Sequence, residues 1–98
     1  MASGSVKKIT SISYVDVVYP SMAVSANGTT AITLSQTFST NVIGVEITRA
    51  WPLANWNNGA LINIVQWNYN SSTGEVAVTL STTSEQSYGV TFRVYYEG

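Results

Sequence analysis

Along most of the chain, apolar and polar residues alternate with a period of two. In residues 30–38 (TAITLSQTF), Ile32, Leu34 and Phe38 fall on one face and Thr33, Ser35 and Thr37 on the other; Gln36 is the one break on the apolar side. In 42–48 (VIGVEIT), Ile43, Val45 and Ile47 fall together, opposite Glu46 and Thr48. Residues 75–80 (EVAVTL) set Val76, Val78 and Leu80 inward. Residues 88–96 (YGVTFRVYY) set Tyr88, Val90, Phe92, Val94 and Tyr96 on one side, with Thr91 and Arg93 on the other. Successive side chains of a strand point to opposite faces, so this period predicts half-buried antiparallel strands.

Two stretches do not keep one parity. In 61–69 (LINIVQWNY), Ile62 and Ile64 have one parity and Leu61, Val65, Trp67 and Tyr69 the other, as in a strand covered on both faces or one carrying a bulge. In 8–19 (KITSISYVDVVY) the apolar parity changes between Tyr14 and Val15, which predicts a bend, a bulge or two short strands. Asn27-Gly28 is a tight-turn pair, 70–75 (NSSTGE) offers Gly74 for a positive φ, and 81–87 (STTSEQS) separates the last two strands. No amphipathic helical stretch of ten or more residues is present. The prediction is an all-β chain, an antiparallel β-sandwich or jelly roll of six to eight short strands. Residues 1–6 are expected to form a flexible N-terminal arm and 7–98 a single domain.

Composition narrows the chemistry. The 98 residues include no cysteine and no histidine, so no disulfide, no thiolate metal site and no imidazole base is possible. Only nine residues are charged, against roughly 25 in an average domain of this length. Lys7, Lys8, Arg49 and Arg93 are scattered, which argues against nucleic-acid binding by phosphate neutralisation. Serine and threonine number 25 and asparagine eight, so the surface is expected to be mostly hydroxyls and amides. Residues 1–8 (MASGSVKK) lack the apolar core of a signal peptide, and no apolar run approaches the ~20 residues of a membrane span. The expectation is a protein made in a cytoplasm, with no cofactor and no membrane partner.

The acids Asp16, Glu46, Glu75, Glu85 and Glu97 do not assemble into an evident catalytic pair. Asp16, inside YVDVVY, reads as an edge-strand charge that discourages sheet-to-sheet pairing. No phosphate loop or calcium loop is present. The chain is expected not to be an enzyme.

Residues 49–61 (RAWPLANWNNGAL) stand apart, with two of the three tryptophans and three asparagines. They read in three ways. Trp51 closes the end of a small core, as Trp67 fills its middle. Trp56 with Asn55, Asn57 and Asn58 stacks on and hydrogen-bonds a glycan. Or Arg49, Trp51 and Trp56, with Tyr95 on the outward face of the last strand, form a protein interface, since interface cores favour Trp, Tyr and Arg and avoid other charges. The scarcity of charge favours assembly over glycan binding, because a surface covered by neighbours needs less charge to stay dispersed.

The texture resembles short virion proteins of tailed bacteriophages. These have a polar head such as MASGSVKKI, Ser/Thr-rich alternating strands such as TTAITLSQTFSTNVIGVEI, and an apolar final strand such as GVTFRVYYEG. From Thr29 to Gly98 the chain also resembles the six-stranded lectin-like sandwiches of phage fibres and H-type lectins, with Phe92 and Tyr95 where their last strand carries tryptophan. The resemblance implies a symmetric homo-oligomer, often a trimer, attached to a capsid or tail. The expected function is therefore a non-enzymatic structural subunit of a bacteriophage particle, a capsid decoration protein or a tail or fibre component, located in the virion. Its partners would be further copies of itself and other virion proteins. The alternative is a carbohydrate-binding module.

Overall fold

The computed structural model describes residues 11–25, 29–53, 62–83 and 85–98. Six strands follow one another: β1 (Ile12–Val24), β2 (Thr30–Thr33), β3 (Val42–Pro52), β4 (Ile62–Asn70), β5 (Glu75–Thr82) and β6 (Gln86–Glu97). They form two antiparallel sheets of three, in the orders β1-β6-β3 and β2-β5-β4. The chain is an all-β sandwich. β1, β3 and β6 have 13, 11 and 12 residues, so the strands of the first sheet are long rather than short. No helix among the described residues is long and apolar enough to cross a membrane. The expected arm over 1–6, the Asn27-Gly28 turn, and Asn55, Trp56, Asn57 and Asn58 lie outside the described residues.

The core comes from the two central strands. Val76, Val78 and Leu80 of β5 and Val90, Phe92 and Val94 of β6 are fully buried, with Tyr88 nearly so. Val24, Leu34, Phe38 and Val42 close the core from the flanking segments, and Trp67 packs against it half-buried from β4. Each such side chain contributes about 1.5–3 kcal/mol over leaving it exposed. The Thr82 and Tyr88 hydroxyls hydrogen-bond inside this layer. The turn before β5 is fixed by the Gly74 amide donating to the Asn70 carbonyl at 2.7 Å, with Gly74 at φ 80°.

Parity breaks have two different causes. In β4, Ile64 faces Leu80 and Gln66 faces Thr79, which leaves Val65 as a bulge residue, half exposed. That bulge lets Ile62, Ile64, Trp67 and Tyr69 all reach the core. In β1 there is no break between Tyr14 and Val15. Pairing with β6 runs without a slip from Ile12 to Tyr19, and the irregularity comes later, between Tyr19 and Met22. Val15, Val17 and Tyr19 turn inward, while Ile12, Tyr14 and Val18 are apolar residues on the outer face. A third departure is in β3. Val42 pairs with Tyr96 and Gly44 with Tyr95, so Ile43 is extra; Val42 is buried and Ile43 is exposed, the reverse of simple alternation.

Candidate functional site: the outer face of the β1-β6-β3 sheet

A second bulge in β3 builds this face. Ile47 pairs with Phe92 and Arg49 with Thr91, leaving Thr48 as the extra residue. Strict alternation from Val45 and Ile47 would turn Arg49 and Trp51 into the core. The bulge turns them out, onto the face that already holds Gly44 and Glu46. The register then sets out rungs across three strands: Tyr14, Tyr95 and Gly44; Asp16, Arg93 and Glu46; Val18, Thr91 and Arg49; and finally Gly89 beside Trp51.

Each rung has a defined chemistry. The Arg93 guanidinium donates to both Asp16 carboxylate oxygens, at 2.8 and 3.1 Å, and lies 4.1 Å from the centre of the Tyr14 ring. Its donation holds the Asp16 carboxyl below the ordinary carboxylate range, and Asp16 in turn raises the Arg93 pKa. The Tyr95 hydroxyl donates to the Glu46 carboxylate, which raises the phenol's pKa above its ordinary value. Tyr14 and Tyr95 meet with ring centres 6.1 Å apart. Arg49 lies 4.7 Å over the Trp51 ring and makes no ion pair among the described residues. Such cation–ring contacts are worth about 0.5–1 kcal/mol when exposed.

Two glycines let the rings lie down on the sheet. A Cβ on Gly89 would come within 2.1 Å of the Trp51 ring, so that ring occupies the space over Gly89. A Cβ on Gly44 would touch the Tyr95 ring at 3.5 Å. A glycine in a strand leaves a gap that a neighbouring aromatic covers.

Three of the four residues singled out as an interface, Arg49, Trp51 and Tyr95, therefore share one face. Trp51 covers the outside of a sheet rather than the end of the core. Trp56 and the glycan candidates Asn55, Asn57 and Asn58 fall outside the described residues. The sequence reading missed Tyr14, Arg93 and Glu46 as members of the same face. It read Asp16 as an edge-strand charge; β1 is an edge strand, and the carboxylate is in addition held by Arg93 on the neighbouring strand. A signal existed: Asp16 and Arg93 are each a lone charge among apolar residues, on the outward parity of their strands. A groove of about 410 Å³ lined by Ala23, Val24, Ser25, Thr30, Glu85, Gln86 and Ser87 contains none of these side chains.

The arrangement is an outward-facing surface shared by three strands. It offers flat rings, two arginines, and charges mostly compensated within the sheet. The face carries two acids and two bases, so it is neutral overall. No protein-family model, no curated protein and no solved structure matches the chain.

Proposed function

We propose that the chain is a non-enzymatic structural subunit of a bacteriophage particle, a capsid decoration protein or a tail or fibre component. It acts by self-association and by docking on other virion proteins through the outer face of the β1-β6-β3 sheet. The observation that carries the assembly reading is the convergence of Trp51, Arg49, Tyr95, Tyr14 and Arg93 on that one face. These residue types dominate the energetics of protein interfaces. Asp16 and Arg93 form an ion pair within the sheet, Glu46 accepts from the Tyr95 hydroxyl and Arg49 lies over the Trp51 ring, so each charge on the face has a partner group in place before a neighbour covers it. The virion itself, and the trimer expected there, are supported by the resemblance of the sequence alone.

Molar mass by light scattering across a concentration range tests the assembly reading. Wild type is expected to exceed the 10.6 kDa monomer and to dissociate on dilution. Trp51→Ala is expected to weaken association through this face by about tenfold or more, seen as a shift toward smaller species, the loss of a hot-spot aromatic, with the β-sheet circular dichroism retained. A wild type that stays monomeric throughout, with tryptophan fluorescence that shifts on adding a glycan, would instead favour the carbohydrate-binding alternative.

A further inference from the structure

We infer that two copies of the chain pair edge to edge through β1, antiparallel and about a two-fold axis at Val15, to make one continuous six-stranded sheet. The inference rests on the assembly reading and adds a second contact to it, since β1 is the edge opposite β3, which carries Arg49 and Trp51.

The four sheet edges are not alike. β2 has four residues. β3 is interrupted by two bulges and ends on Pro52; β4 is interrupted by one bulge. Bulges, proline and shortness are the usual means by which edges avoid pairing with other chains. β1 has its own proline, Pro20, and an irregularity only after Tyr19; before them it runs regularly for eight residues, Ile12 to Tyr19, pairs on one side with β6, and pairs with no other described strand. Among the described residues its outer face carries three exposed large apolar side chains: Ile12, Tyr14 and Val18 are 51, 56 and 57% exposed. Asp16, the one charge in the row, is paired with Arg93 of its own sheet, so it bars only the registers that set it against another carboxylate or an apolar side chain.

Among the registers centred on the regular stretch, at Tyr14, Val15 and Asp16, the row favours one for pairing with a second copy of itself. Pairing must join outer face to outer face, so the two partner numbers must have an even sum. An axis at Asp16 sets carboxylate opposite carboxylate, which is unfavourable. An axis at Tyr14 sets Asp16 opposite Ile12. An axis at Val15 sets Ile12 of one copy opposite Val18 of the other, and Tyr14 opposite Asp16, twice over by symmetry. On the inner face it sets Val15 opposite Val15. All seven pairs from 12 to 18 fall inside the regular stretch. An isologous contact of this kind closes as a dimer rather than as the trimer that the resemblance implies. It also doubles the outer face described above, joining two sets of Trp51, Arg49 and Tyr95 on one surface.

The register makes a charge-swap test possible at two exposed positions. Ile12→Lys with Val18→Lys in one chain places lysine opposite lysine at both ends and is expected to weaken the dimer by on the order of a hundredfold, through lost apolar contact and repulsion. Ile12→Glu with Val18→Lys places glutamate opposite lysine and is expected to restore the dimer, now sensitive to salt. Both are read by light scattering, with circular dichroism as the fold control. The native chain has no cysteine. Ile12→Cys mixed with Val18→Cys is therefore expected to cross-link on oxidation, while neither variant alone does, and this holds even where the charged variants fold poorly.

A wild type that is monomeric at every concentration overturns both this inference and self-association. A wild-type oligomer unaffected by the double lysine variant overturns the edge pairing and leaves the assembly reading standing. Loss of the dimer in both charge variants, or cross-linking of Ile12→Cys alone, overturns the register.

Discussion

At the scale of single residues, the outer face depends on what is missing as much as on what is present. Gly89 has no side chain, and the Trp51 ring fills that space while Arg49 lies over the ring. Gly89→Ala puts a methyl group 2.1 Å from ring atoms, closer than any contact can be. The obstacle is a side chain on an outer face, not backbone, so the ring swings aside and the fold survives. The expected outcome is a protein with native circular dichroism, a red-shifted and more quenchable tryptophan emission, and self-association weakened about as much as by Trp51→Ala. Unchanged association with a displaced ring would remove Trp51 from the interface. The role of Gly89 was not legible in the sequence, because it depends on which residue of β3 lies beside it. A bulge at Thr48 sets that neighbour.

At the scale of elements, the strands with an apolar inner row and a polar outer row were readable from alternation alone. β5 and β6 are the cases: every inward residue named from their period is buried or packed on the core. The strands that misled are those in which a bulge or a second apolar row breaks the period. Ile43 was assigned inward and is exposed, because one inserted residue reverses parity. β1 looked broken and is continuous, because its outer row is apolar as well. Turns were legible where their chemistry is local. Gly74 combines φ 80° with a would-be Cβ only 2.7 Å from the Phe38 carbonyl oxygen. Both constraints act on backbone that cannot move aside, since the Phe38 amide is bonded to the Gly74 carbonyl at 2.8 Å. Gly74→Ala is expected to cost about 1–3 kcal/mol. Urea unfolding checks it, and a midpoint unchanged within error would show that the turn relaxes freely.

At the scale of the whole molecule, the scarcity of ionisable groups becomes a property of the assembly. With no histidine and no cysteine, no side chain of ordinary pKa titrates near neutrality, so association is expected to be flat from about pH 5 to about pH 9. The limits come from the outer face. The Asp16 pKa is lowered in the folded chain, so its contribution is present above the ordinary value of 3.8 and is lost as pH falls through the lowered one. Protonation there removes the carboxylate partner of Arg93 and gives the face a net positive charge, so copies that meet through it repel. The Tyr95 pKa is raised, so its contribution is present below the ordinary value of 10.0 and is lost as pH rises through the raised one. Ionisation there sets phenolate beside the Glu46 carboxylate. Light scattering from pH 2.5 to 11.5 is expected to trace a plateau falling on both sides. Asp16→Asn should lower the plateau and flatten the acid limb, and Tyr95→Phe should do the same at the alkaline limb. A plateau broken near pH 6 or 7 would mean that groups other than these govern association.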